Sequence, residues 1–331
     1  MSKFTSVEIC AGAGGQALGL EKAGFEHSAL VENDAHACET LNLNRPNWNV
    51  FNGDLREFDG TPFKGVDLLA GGVPCPPFSI AGKQLGRDDE RDLFPEALRL
   101  TKEIRPKAVM FENVRGLSSA SFADYRNELL ASFGKLGYFT DWRLLNSSDY
   151  GVPQLRPRFI LVGMLEEYAS CFRWPDTISN PPTVSETIYD LISENGWEGA
   201  KNWKKKAAGI GPTVVGGSKK HGGPDLGPTR AKRQWAELGV DGKGIANETP
   251  PRDLPTDFVP KLTNRMVARI QGFPDDWQFA GKKTATYRQI GNAFPPPVAA
   301  AIGKEILAAL KKQVASDYGE HLLPPLHRQA A

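Results

Sequence analysis

Along the first 165 residues, short apolar runs alternate with longer stretches in which apolar residues recur at helical spacing. That alternation leaves few architectures open, because each helical stretch must carry the chain from one strand to a parallel neighbour. The expected fold class is α/β, built on a mostly parallel sheet. The spacing predicts strands over residues 6–10, 28–32, 66–70, 108–112 and 159–163, and helices over 16–23, 35–42, 93–103 and 123–136. Each predicted strand ends in a polar or Gly/Pro-rich loop. Ligands of open α/β sheets gather outside the carboxyl ends of strands, so chemistry is to be sought in those loops.

Beyond residue 172 the texture changes. As far as about 258, Pro, Gly, Lys and Trp dominate without clean periodicity, as in PDTISNPPT and GGSKKHGGPDLGP, which predicts a second, smaller, loop-rich domain. A chain of 331 residues has room for both. Between Lys201 and Arg233 nine basic residues stand against one acid, Asp225, a local charge of +8 in a chain whose formal net charge is only +1. Trp197, Trp203 and Trp235 are interleaved with them. Such a stretch suits a surface that tracks phosphates and makes apolar contacts, although a basic run is more often a solvated face. An amphipathic helix is predicted over 297–314, and the tail after Ser316 shows no pattern. Four widely spaced cysteines and an N-terminus lacking a charged-then-apolar leader argue against a disulfide framework and secretion. No run approaches eighteen consecutive apolar residues, so no membrane span is expected and the expected compartment is the cytoplasm.

The first predicted strand runs into Cys10-Ala11-Gly12-Ala13-Gly14-Gly15, and Gly12-x-Gly14-x-x-Ala17 fits a looser form of the dinucleotide fingerprint. Twenty residues after Gly12, Glu32 ends the second strand, where a carboxylate can accept hydrogen bonds from two ribose hydroxyls. Asp54, following a third short strand, is placed to accept from an adenine amino group. The glycine turn alone is equally a structural device. With Glu32 at this spacing it points to an adenosine-bearing cofactor, with nicotinamide, flavin and S-adenosylmethionine unseparated. No G-x-x-x-x-G-K-[ST] occurs, which argues against a P-loop nucleotide triphosphatase.

After the next strand comes Gly71-Gly72-Val73-Pro74-Cys75-Pro76-Pro77-Phe78-Ser79. Proline restricts φ, so the three prolines around Cys75 fix the thiol before substrate arrives, a bracing that a merely packed cysteine does not need. One strand on, Glu112 stands at the tip of the apolar run 108–111, where glutamate is seldom left for packing alone. Arg156 and Arg158 open the following strand; they can bind a phosphate or a base carbonyl, or serve as surface charge. Thiol, carboxylate, guanidiniums and an adenosine site at one sheet edge suit alkylation of an unactivated pyrimidine C5. Cytosine C5 is a poor nucleophile. Attack of a thiolate at C6, with Glu112 hydrogen-bonding or protonating N3, generates an enamine whose C5 can take a methyl group.

Nine blocks now stand in order: EICAGAGG (8–15), VEND (31–34), GDL (53–55), GGVPCPPFS (71–79), RDLF (91–94), FENV (111–114), QLRPR (154–158), RIQGFPDDW (269–277) and YRQIGNAFPPPV (287–298). In these blocks, and along most of its length, the chain resembles the bacterial cytosine-C5 DNA methyltransferases of restriction-modification type. The resemblance implies a Rossmann-like sheet dependent on S-adenosylmethionine, a catalytic and cofactor-binding domain over 1–171, a target-recognition domain over 172–283, and a segment over 284–331 that returns to the catalytic domain. It implies Cys75 as nucleophile, Glu112 as partner of N3, and Arg158 with Arg156 in the base pocket. Cofactor contacts are implied at Cys10, Ala11, Gly12, Ala13, Gly14, Gly15, Glu32, Asn33, Asp54, Leu55, Gly72, Pro74, Leu93, Asn292 and Ala293. Residues 78–92 resemble a mobile loop that closes over DNA, which adds Ser79 and Gln84 to the expected DNA contacts Lys204, Lys205, Lys219, Lys220, Arg230 and Arg233.

Three departures from the family pattern stand out. Cys10 occupies a place where a phenylalanine usually packs on the cofactor, Glu8 replaces an aspartate, and Pro76 follows the nucleophile where glutamine is usual. The implied substrate is double-stranded DNA, whose target base must be flipped out of the stack at a cost of a few kcal/mol. The enzyme is expected to act as a monomer without a metal, either beside a separate restriction endonuclease or as a lone bacterial modifier. A dehydrogenase reading would leave the Pro-Cys-Pro loop without a task. An RNA reading is disfavoured because Cys171-Phe172 is followed by Arg173, whereas the transfer-RNA branch usually has Cys-Phe-Thr. A non-catalytic DNA-binding regulator would be expected to lack Cys75 or Glu112, and both are present.

Overall fold

The computed structural model describes residues 3–74, 92–217 and 223–315. Cys75, Ser79, Gln84, Lys219, Lys220, nearly all of the expected 78–92 loop and the tail after Ser316 lie outside the described residues. In chain order the elements are β1 (Phe4–Ile9), α1 (Gly15–Ala23), β2 (Phe25–Glu32), α2 (Ala35–Asn44), β3 (Val50–Asn52), β4 (Leu68–Gly72), α3 (Phe94–Ile104), β5 (Ala108–Val114), α4 (Ala123–Lys135), β6 (Tyr138–Asn146), β7 (Gln154–Leu155), β8 (Pro157–Leu165) and α5 (Glu166–Ala169). There follow α6 (Val184–Ser193), α7 (Ala200–Lys206), β9 (Gly211–Pro212), α8 (Thr229–Glu237), α9 (Asn264–Gln271), α10 (Lys283–Asn292) and α11 (Pro296–Ala315).

Seven strands form one sheet in the order β3-β2-β1-β4-β5-β8-β6. The first five are mutually parallel, and β8 runs antiparallel to both β5 and β6. Alternate residues of the central strands feed two cores, as the twofold side-chain period of a strand requires. Leu68, Ala70, Ala108 and Met110 pack with Leu20 of α1 and Ile302 and Ile306 of α11. Leu69, Val109 and Phe111 pack with Phe94 and Leu100 of α3 and Phe133 of α4. Helices α1 and α11 approach closely: a Cβ on Gly19 would come within 2.5 Å of the Pro296 carbonyl oxygen and of Ala299. The strand order reverses between β1 and β4, which is where an open α/β sheet leaves a crevice at its carboxyl edge.

Several sequence expectations need correction. Cys10 is not part of β1; it leaves the strand with φ 51°, already in the left-handed region. Strand β4 begins at Leu68 rather than residue 66 and extends to Gly72. Strand β6 was not expected at all, since its sequence YFTDWRLLN interrupts the apolar run with half-buried Thr140 and Asp141 and exposed Arg143, as an edge strand allows. Helices α6 to α8 occupy a stretch whose texture predicted loops. Trp197, Trp203 and Trp235 are not surface contacts: they are 3%, 4% and 0% exposed and pack together with Ile188, Leu262 and Ile270. Tyr287, Ile290 and Ala293 share that core. The stretch 283–312 is long and apolar enough to cross a membrane by length and composition, but 72% of its most apolar window is buried within the fold.

Candidate active site

The β1–α1 turn is built from left-handed residues, with φ 54° at Gly12 and 82° at Gly14, conformations that cost little only for glycine. Gly12 donates its backbone N–H to Glu32 Oε2 at 2.7 Å, while Asn33 and Asp34 donate theirs to Glu32 Oε1 at 2.9 and 2.7 Å. One carboxylate thus joins the first two strand ends. The loop is braced from far along the chain as well, because Trp277 Nε1 donates to the Ala13 carbonyl at 3.1 Å. A Cβ on Gly14 would come within 2.9 Å of the Trp277 ring.

These strand ends surround a cavity of about 660 Å³, a size usual for small-molecule sites. Every residue expected at the cofactor lines it except Gly14 and Gly15, the N-cap and first residue of α1. Asp54 accepts from the Arg56 backbone N–H at 2.9 Å and pairs with the Arg56 guanidinium at 2.9 Å. Burial, followed by the carboxylates of Glu32, Asp54 and Glu8, pushes the Cys10 thiol well up, which keeps it protonated and a poor nucleophile. Glu8, 1% exposed, has its carboxyl pushed up by burial. Its Oε2 and both polar atoms of the Gln16 amide are buried without a hydrogen-bond partner among the described residues. Glu8, Gln16, Arg288 and Gln289 line the cavity and were missed as site residues, although Arg288 and Gln289 stand inside the YRQIGNAFPPPV block.

Glu112, near the end of β5, lines the same cavity with 13% of its side chain exposed. Arg158 Nε lies 2.6 Å from Glu112 Oε1 and is itself 11% exposed. Burial works against the Arg158 charge and Glu112 sustains it. Asn113 donates from Nδ2 to the Val73 carbonyl at 2.9 Å, tying the β5 end to the chain two residues before Cys75. Across the segment that contains Cys75, Leu93 N–H donates to the Pro74 carbonyl at 3.3 Å.

The two arginines part company. Arg156, expected beside Arg158, is 1% exposed and spends its guanidinium on the carbonyls of Val214 (2.6 Å), Gly291 (2.7 Å) and Ala293 (3.0 Å). Neither arginine lines the cavity itself; Arg158 meets it through Glu112, whereas Arg156 has no such link. Gln154 extends this buried network, donating to Gln271 Oε1 at 2.6 Å and accepting from Val214 N–H at 3.0 Å. Among the expected DNA contacts, Lys204 and Lys205 are exposed on α7, and Arg230 and Arg233 on α8.

The wall fits S-adenosylmethionine: the Glu32 carboxylate held by three backbone donors, unpartnered polar atoms of Glu8 and Gln16, and a size to match. The model of the C-5 cytosine-specific DNA methylase family matches residues 4–308. The Type II methyltransferase M.NgoMIV of Neisseria gonorrhoeae is 59% identical over 316 residues, covering 94% of this chain and 99% of that protein. M.NaeI of Lentzea aerocolonigenes is 57% identical over 317 residues, covering 95% and 77%. A crystal structure of a Spodoptera frugiperda DNMT2 variant aligns with TM-score 0.65 over 92% of this chain and 99% of that one, at 18% identity, a likeness of fold. Membership of this family implies methylation dependent on S-adenosylmethionine. The chain belongs to the C-5 cytosine-specific DNA methylase family and is a DNA cytosine-5-methyltransferase.

Proposed function

We propose that this enzyme methylates C5 of a cytosine flipped out of a short double-stranded DNA site, through a transient bond between Cys75 and C6, as the cytoplasmic modification arm of a restriction-modification pair. One observation supports this reading above the others: Glu112, paired with Arg158, shares a cavity with Glu32 and with Pro74, the residue before Cys75. S-adenosylmethionine, when bound, supplies the methyl group that C5 receives. The Cys75 thiolate forms the S–C6 bond, and the electron pair of the C5–C6 double bond moves toward C5. Glu112 hydrogen-bonds or protonates N3, which draws electron density from C6 and favours that attack. Arg158 holds the Glu112 carboxyl in place and keeps a positive charge beside the ring. After methylation a base removes the C5 proton, the S–C6 bond breaks, and the aromatic ring and the thiolate are restored. Gly12, Glu32, Asp54 and Asn292 hold the donor, and Arg156 anchors the chain that presents Arg158.

Bisulfite sequencing of plasmid DNA from cells producing the protein tests this reading. It predicts protection of one cytosine in every copy of a short motif, and complete conversion at every cytosine would contradict it.

A further inference from the structure

The cavity wall is acidic. Among the described residues it carries the carboxyl groups of Glu8, Glu32, Asp34, Asp54 and Glu112 and only two cations, Arg56 and Arg288. Most of these groups are engaged. Glu112 pairs with Arg158, Asp54 with Arg56, and Glu32 accepts three backbone N–H groups. Asp34 Oδ1 caps α2 through the His36 and Ala37 N–H groups. Arg288 differs: its guanidinium makes no hydrogen bond among the described residues, and its ion partner, Asp34, lies 3.8 Å away, too far for one. Its side chain is 21% exposed. It stands one helical turn before Asn292 on α10, and residues four apart share a helix face.

S-adenosylmethionine carries two cationic groups, a sulfonium and an ammonium, and one anionic group, the α-carboxylate. An acidic wall suits the cations and repels the anion, which needs a donor able to offset its desolvation. A guanidinium with its N–H fork unspent matches a carboxylate in shape and charge. We propose that Arg288 receives the α-carboxylate of the methyl donor and so sets the cavity's demand for an amino-acid end on its ligand. This inference rests on the reading of the cavity as the donor site.

Calorimetric titration of wild type, Arg288→Met and Arg288→Lys with S-adenosylmethionine and with its decarboxylated analogue tests it. The analogue keeps adenosine, sulfonium and amine and lacks only the carboxylate. Wild type should bind the intact donor at least about tenfold more tightly, the scale of one charge-assisted hydrogen bond. Arg288→Met should lose that preference by weakening the intact donor alone, and Arg288→Lys should keep part of it. Equal affinity of wild type for both compounds overturns the proposal with no variant needed. So does equal weakening of both compounds in Arg288→Met, which would mark a structural arginine, or loss of duplex DNA affinity alone, which would mark a phosphate contact. Wild type that binds neither compound removes the donor site itself and this inference with it.

Discussion

At the scale of single residues, the cavity holds carboxyl groups in unlike surroundings. Glu112 has a guanidinium at 2.6 Å, whereas Glu8 is buried with one oxygen unpartnered. Glu112→Gln keeps the shape and loses the acid, so methyl transfer should fall about 10²–10⁴-fold with duplex affinity nearly unchanged, read by single-turnover transfer of labelled methyl and by DNA titration. Unchanged turnover would remove Glu112 from the chemistry. Glu8 gives a prediction in pH. Its folded-state carboxyl is raised, so between about pH 4.3, where an unfolded glutamate titrates, and its folded pKa the native state binds more protons than the unfolded state. Stability is therefore lost as pH rises through that window. Glu8→Gln cannot titrate, and its advantage over wild type in urea unfolding should grow from pH 5 to pH 8. A difference independent of pH would contradict the burial argument. Gln16 had no sequence signal of its own and Glu8 stood out only as a replacement for aspartate, because what marks them is the missing partner, and partners are a property of the fold.

At the scale of elements, the strand ends are governed by the pleat and the helices by their contacts. The unbroken apolar run 108–111 marked β5 as a strand buried on both faces, and the apolar periodicity marked α1, α3, α4 and α11 to within a few residues. The edge strand β6 carried no such signal, since one of its sides pairs with no strand among the described residues and tolerates Asp141 and Arg143. Helix α6 did carry one. Thr183 and Glu186 form a capping box, and the pattern T-x-x-E before an apolar run stands in the sequence. Packing of α1 on α11 needs glycine for space rather than for φ. Gly19→Val should cost about 1–3 kcal/mol by overpacking, read as a lower urea midpoint, and an unchanged midpoint would deny the close approach.

At the scale of the molecule, chemistry and recognition are joined by buried polar contacts from distant parts of the chain. Arg156 binds carbonyls at 214, 291 and 293, and Trp277 holds the Ala13 carbonyl. The blocks drew attention to Arg156, but periodicity could not show that it clamps three carbonyls, because its partners lie up to 137 residues away. The +8 window divides similarly. Its tryptophans entered the core while Lys204, Lys205, Arg230 and Arg233 remained exposed. If these four meet DNA phosphates, replacing them with alanine should flatten the dependence of log affinity on log salt by up to about 0.9 per residue, and an unaltered slope would place the DNA elsewhere. The central claim concerns one sulfur. Incubation with S-adenosylmethionine and a duplex carrying 5-fluorocytosine at the mapped target should yield a denaturation-resistant complex whose crosslinked peptide contains Cys75, because fluorine at C5 cannot leave as a proton does. Turnover of the ordinary duplex without any such complex, or turnover retained in full by Cys75→Ser, would contradict the account.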